Sequence, residues 1–321
     1  MLRIREIIFL LAIILFLPGC NLLTGILGGG NTDIKVPNIH TGSQGLKMSF
    51  VENQPMSSYR VTETEGAPII ITLTLENMGT SLLAEDTTIT VNTDNNYIVM
   101  DNDRANVALQ GKTQERPLAG EKTTVTFTGM VQPMKIEDDK SVIDVSACYR
   151  YSVEGQFDVC IDTDPANLRT GKKGCSSKDN SISSSGQGGP VGASKIEVVL
   201  NEHLNSVSPK FLVHVRNFGK GRVFDAFKSP SALCSSALSD ASSINVVFVG
   251  AKLAGLEFKC EPNPLVLSDV EENNYVTCSN AGYGVSTDTS SFASSLVVYM
   301  VYDYIDSISK EITIKKIKTT N

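Results

Sequence analysis

Six of the seven cysteines, three histidines and a few acidic pairs are the residues of this 321-residue chain whose types and spacings allow chemistry. Cys148, Cys160, Cys175, Cys234, Cys260 and Cys278 form an even set with none of the C-x-x-C spacing that a zinc site needs. Such a set points to disulfides and to an oxidising compartment. Many pairings are open. Cys148 and Cys160 flank Glu154-Gly155, a candidate turn that would set them opposite each other in a hairpin, and closing that loop is worth about 3 kcal/mol. Cys260 and Cys278 bracket a second candidate hairpin, which leaves Cys175 for Cys234. His40, His203 and His214 are too scattered for an acid–base site. No G-x-S-x-G elbow, H-E-x-x-H helix, P-loop or dinucleotide fingerprint occurs, and Gly186-Gln187-Gly188-Gly189 lacks the lysine and flanking strand of a phosphate cradle. Asp101 with Asp103, or Asp162 with Asp164, could lend calcium two or three of its six to eight oxygens. Ordinary solvated turns are the simpler reading there, as at Glu137-Asp138-Asp139 and at Asp269 with Glu271-Glu272. The chain has no Trp, which removes the commonest sugar-stacking surface. The expectation is a protein that is not an enzyme and carries no metal or cofactor.

The elements that hold these residues follow an export segment. Arg3 and Arg5 precede an apolar run over 7–17, about 11 residues against the roughly 20 that cross a bilayer. Leu17-Pro18-Gly19-Cys20 resembles the lipobox of lipoproteins, although Pro18 departs from the small or β-branched residue usual there. The resemblance implies that 1–20 is a signal segment ending in a lipobox, cleaved so that Cys20 becomes the lipidated first residue. A retained anchor over 7–27, kinked at Pro18 and Gly19, is the alternative. Both tether the chain to the membrane, facing outside the cytoplasm. Residues 21–45, rich in Gly, Thr and Asn, read as a flexible stalk.

Beyond the stalk there is chain enough for two domains. Alternating or β-branched runs fall at 46–51, 69–75, 87–91, 123–131, 141–151 and 156–161. They recur at 195–200, 210–216, 245–250, 256–260, 275–278, 296–304 and 311–317. Asn77-Met78-Gly79 and Asp94-Asn95-Asn96 punctuate them as turns. The fold expected is all-β: two tandem Ig-like antiparallel β-sandwiches over 46–161 and 195–321. A Ser/Gly-rich linker over 162–194 joins them, pinned in part by Cys175. Ser- and Ala-rich 229–243, with Cys234, interrupts the second sandwich as a long loop or short helix. The halves also match in sequence. Residues 70–79 parallel 210–219 around a shared N-x-G, and Tyr149-Arg150-Tyr151 through Ile161 lies without a gap over Tyr302-Asp303-Tyr304 through Ile314.

In these features, with Asn77, Gly79, Asn217 and Gly219 at turns and Tyr149, Tyr151, Tyr302 and Tyr304 on later strands, the chain is similar to the cell-adhesion-related CARDB type of Ig-like sandwich found in archaeal and bacterial surface proteins. The cysteines depart from that type's cysteine-poor pattern. The resemblance implies a surface-exposed structural or adhesive module in which the matching residues are architectural. A net charge of −7, from 35 acidic and 28 basic residues, offers no basic groove to nucleic acid or an anionic membrane surface. The function expected is binding or scaffolding at the cell surface or in the periplasm, with a protein partner met through loops or a strand edge. An accessory subunit of an envelope secretion, transport or filament assembly is the alternative.

Overall fold

One polar and one apolar residue alternate through 139–161, and that pattern makes a single strand with one face buried along its whole length. The computed structural model describes residues 38–135, 138–226, 230–234 and 243–317. Cys20, the export segment and the stalk as far as residue 37 lie outside the described residues. The first half contains β1 (Leu46–Phe50), β2 (Ser58–Val61), β3 (Ala67–Asn77), β4 (Leu83–Asn92), β5 (Ile98–Met100), β6 (Arg104–Leu109), β7 (Lys122–Val131) and β8 (Asp139–Ile161). The second contains β9 (Ser181–Ser183), β10 (Val191–Glu202), β11 (Ser206–Asn217), β12 (Arg222–Phe224), β13 (Val246–Leu253) and β14 (Leu256–Glu261). It continues with β15 (Leu265–Val266), β16 (Tyr275–Ser279), β17 (Val285–Ser286) and β18 (Phe292–Lys316), and α1 (Pro230–Leu233), a short helix, lies between β12 and β13.

The fold is an all-β, antiparallel sandwich, with one parallel pair between β2 and β18. In the first half β1-β3-β7-β5 faces the β6-β4-β8 end of a larger sheet. That sheet runs on through β18-β13-β14 and then, by way of β16, to β11, β10 and β9. Inward residues of both halves, from Leu46 to Ile314, make one contiguous core. Each fully buried Leu, Ile or Phe in it contributes roughly 1.5–3 kcal/mol.

The halves are therefore joined, not tethered. β8 and β18 pair from Ile161↔Phe292 to Asp139↔Ile314, and Asn38–Asn321 forms one compact unit. The hairpin expected at Glu154-Gly155 does not form; Gly155 lies mid-strand, where a Cβ would sit 2.5 Å from Cγ of Gln187. Glycine serves close approach there, not a turn. The linker expected over 162–194 is also built in. The Gln187 carboxamide accepts from Ala193 N (2.7 Å) and donates to Ala193 O (2.9 Å), while Gly188 N donates to Gly42 O and Thr80 N to Gly188 O.

The internal repeat is a spatial one. Tyr151 stands opposite Tyr302, Arg150 opposite Asp303 and Tyr149 opposite Tyr304. Since the repeat carries Tyr149 onto Tyr302 and Tyr151 onto Tyr304, exchanging the halves maps this ladder onto itself. A local two-fold axis passes through the Arg150–Asp303 pair.

Candidate functional site

The residues that carry the family resemblance build a latch, used twice. Oδ1 of Asn77 accepts from Gly79 N (3.1 Å) and from the Tyr151 hydroxyl (3.1 Å), and its Nδ2 donates to Ser81 O and Leu109 O. Oδ1 of Asn217 likewise accepts from Gly219 N (3.1 Å) and the Tyr304 hydroxyl (3.2 Å), and its Nδ2 donates to Gly221 O. Only glycine fits third in each N-x-G, because a Cβ on Gly79 or Gly219 would lie 2.0 or 2.2 Å from the tyrosine oxygen. Tyr149 and Tyr302 complete a four-ring cluster on the axis. Burial pushes all four phenols up, Tyr304 to about 12. These are un-ionised structural groups.

All six candidate cysteines are in disulfides: Cys148–Cys234, Cys160–Cys175 and Cys260–Cys278. The third pair is the one expected. The other two differ because Cys148 and Cys160 share one strand and one face, so each reaches outward to a covering segment instead of to the other. Three disulfides indicate an oxidising, extracytoplasmic environment. No helix among the described residues is long and apolar enough to cross a membrane.

The acidic pairs are taken up locally. Lys173 Nζ sits where a cation would, 2.9 and 3.1 Å from the two Asp162 carboxylate oxygens and bonded to Asp164 O. Burial works against the Asp162 charge. Lys173, Ser291 and the backbone N–H groups of Asp164 and Ser177 outweigh it and hold the carboxyl well below the usual carboxylate range. Asp101 accepts from the Thr128 hydroxyl, and Glu271 pairs with Arg216 at 3.1 Å. His214 lies 3.3 Å from Glu197, while His203 is at the β10–β11 turn and His40 by the outer face of the large sheet. The three histidines share no site. Among the described residues no group of three or more His, Cys, Asp or Glu is placed to hold a metal.

What remains is a surface on the outer face of β13 and β18. Where β14 leaves β13 to pair with β16, the Asn263 carboxamide takes the missing strand's place, accepting from Val249 N (3.1 Å) and donating to Val249 O (2.9 Å). The strands part there around an open hollow of about 790 Å³, lined in part by Lys259, Glu261, Asn280 and Tyr299. Tyr299 lies flat because Gly250 opposes it: a Cβ on Gly250 would be 2.1 Å from the phenol Cζ. The same ring borders a second hollow of about 410 Å³ over Val297, Val301 and Ser152. Lys252 Nζ lies 5.8 Å from the ring centroid and 2.8 Å from Glu257, which raises the ammonium's pKa; burial and Glu257 raise that of Tyr299. The surface offers one aromatic face, a few half-buried aliphatics and a charged rim, with no nucleophile–base pair. Nothing local in the sequence marks it, since its members come from strands far apart in the chain.

No protein-family model matches the chain, and no curated protein matches it. Among solved structures, the collagen-binding domain of Erysipelothrix rhusiopathiae surface protein RspB aligns with 85% of this chain and 97% of its own. Identity is 8% and the TM-score 0.15, a likeness that carries no argument about this chain.

Proposed function

We propose that this chain is a membrane-tethered, extracytoplasmic binding protein of the CARDB-like kind, non-enzymatic, that engages a protein partner through the Tyr299 face. The observation that carries the reading is the pair of hollows on either side of Tyr299, on an outer sheet face that is covered elsewhere. The three disulfides support residence outside the cytoplasm. Tethering rests on the export segment, with Cys20 as the lipidated residue. An accessory subunit of an envelope machine would use the same face and differ only in what docks there.

Amine-reactive crosslinking of intact cells tests the reading, because Lys252 and Lys259 border the two hollows. Links from these lysines to one recurrent protein are expected. Links confined to lysines of other faces, such as Lys47 and Lys122, would refute the assignment of the face. A chain digested only after cell lysis would refute export. Release of the protein into the medium by Cys20→Ala is the expected mark of a lipid anchor.

A further inference from the structure

Two of the three disulfides are nested, and the nesting sets a problem for the chain that must form them. Cys148–Cys234 closes 86 residues and encloses both Cys160 and Cys175, which pair with each other across 15. Cys148 must therefore stay free while two nearer cysteines are available to it. The nearest, Cys160, is 12 residues on. In an unfolded chain the chance of contact falls as about the −3/2 power of loop length, so Cys160 meets Cys148 about 20 times as often as Cys234 does, and about as often as it meets Cys175. In a chain exported amino end first it also arrives before Cys234. Cys260 and Cys278 escape the problem, being neighbours in cysteine order, 18 residues apart and directly opposed on β14 and β16.

The favoured early pair is one that the fold refuses. Cys148 and Cys160 lie on β8 opposite Ile305 and Ala293 of β18, and 12 residues of strand set them about 40 Å apart. A disulfide needs Cα atoms within about 7 Å of each other. A chain closed at Cys148–Cys160 therefore buckles between them and loses the pairing from Tyr149↔Tyr304 to Val159↔Ser294. With it go the Arg150–Asp303 ion pair and the bond from Tyr151 to Asn77, so the halves lose their join at the two-fold axis. Once Cys175 and Cys234 have joined each other as well, none of these four cysteines keeps a thiolate to undo the error.

We infer that this chain depends on a thiol–disulfide isomerase, a protein that holds a reactive thiolate outside the cytoplasm, and that Cys160 carries the transient covalent bond to it. The exchange balances with no oxidant or reductant. The isomerase thiolate attacks Sγ of Cys160, forming a mixed disulfide and expelling the Cys148 thiolate. That thiolate attacks Sγ of Cys234 in the Cys175–Cys234 pair and expels the Cys175 thiolate, which attacks Sγ of Cys160 and releases the isomerase thiolate. Two disulfides break and two form. Attack at Cys160 is the productive one, because its native partner is 15 residues away and that of Cys148 is 86. In the finished fold Cys148 and Cys160 are 1% and 6% exposed, so the isomerase acts before β8 joins β18. Only the oxidising compartment that the disulfides indicate is needed, and nothing of the Tyr299 face.

Refolding of the reduced full chain from guanidinium into a glutathione redox buffer, with and without protein disulfide isomerase, tests this, with alkylated samples mapped by peptide mass spectrometry. Among the earliest one-disulfide species, Cys148–Cys160 is expected to outnumber Cys148–Cys234 by about 20 to 1. That count precedes folding and so does not depend on stability. Without isomerase, chains paired Cys148–Cys160 and Cys175–Cys234 should accumulate. With it, Cys148–Cys234 should gain about tenfold in rate relative to Cys260–Cys278, which registers simple oxidation in the same chain. An isomerase whose second active-site cysteine is replaced by Ser should be trapped on Cys160. Cys160→Ser with Cys175→Ser removes the decoy and should abolish the relative gain. A wild-type chain with no relative gain, early species without the Cys148–Cys160 excess, capture through other cysteines only, or a double variant that keeps the gain overturns the inference.

Discussion

Asn77→Ala should cost far more stability than Asn217→Ala, although the two residues make the same latch. Asn77 is 0% exposed, and its side chain makes four hydrogen bonds, three of them buried. Removing it takes the side-chain partner from Gly79 N and Leu109 O and the shortest acceptor from the Tyr151 hydroxyl, which keeps its 3.3 Å bond to Gly188 O. At about 1 kcal/mol for each bond lost, and more where the abandoned group stays dry, the cost is about 3–4 kcal/mol. Asn217 makes three bonds, all partly buried, so water can replace the amide and the cost is about 1–2 kcal/mol. Urea unfolding followed by far-UV circular dichroism measures both. A double-mutant cycle of Asn77→Ala with Tyr151→Phe should show coupling near 1 kcal/mol. Equal losses, or a larger loss at Asn217, would refute the argument that buried-group satisfaction sets the size of the effect.

Unfolding should be one cooperative transition by calorimetry and circular dichroism, since the core is contiguous and β8 pairs with β18 throughout; two resolved transitions would mean separable domains. Replacing Cys148 and Cys234 by Ser should cost about 4–5 kcal/mol, against about 3 kcal/mol for Cys160 and Cys175, because the first pair closes 86 residues and the second 15; equal losses would count against loop entropy. Asp303 lies fully buried on the two-fold axis, and its pKa is pushed up to about 6 by burial, opposed by Arg150 at 2.9 Å and reinforced by Asp86 and Asp225. A carboxyl raised from 3.8 when folded destabilises progressively as pH rises from about 4 to about 6, by about 3 kcal/mol in all. Asp303→Asn should therefore gain that much on the wild type between pH 4 and pH 7, and a pH-independent difference would refute it. Asp162, held low, loses its stabilising contribution toward acid pH in both proteins and so cancels from the comparison.

The sheets were legible in the sequence because one face of each strand is dry, and the repeat was legible because the latch needs Asn, Gly and Tyr at fixed places. The central join was not. Apolar residues on β8 occupy odd positions on both sides of Gly155, a parity that a continued strand and a hairpin of three turn residues share. Gly155 then reads as a turn, although its reason is the Gln187 side chain approaching from a segment 32 residues on. Ser/Gly composition similarly reads as a free linker. It is the Gln187 carboxamide closing on Ala193 and the backbone bonds to Gly42 and Thr80 that fix it, and composition does not encode such contacts. The expected Cys148–Cys160 pairing failed with the hairpin on which it rested, and the remainder pair Cys175–Cys234 failed with it, whereas Cys260–Cys278 formed as expected.

The Tyr299 face depends on still more distant pieces, yet one sequence signal for it exists: the unequal spacing between matched landmarks, 11 residues in one half and 31 in the other. A chain that folds back on itself about a two-fold axis creates two equivalent outer faces, at Cys148–Ile305 and at Val301–Ser152. An insertion in the second half, between Asn217 and Phe248 and locked by a disulfide that spans 86 residues, covers the first of these faces with the chain's own Leu233, and the first half has no counterpart insertion between its matched landmarks, Asn77 and Thr88.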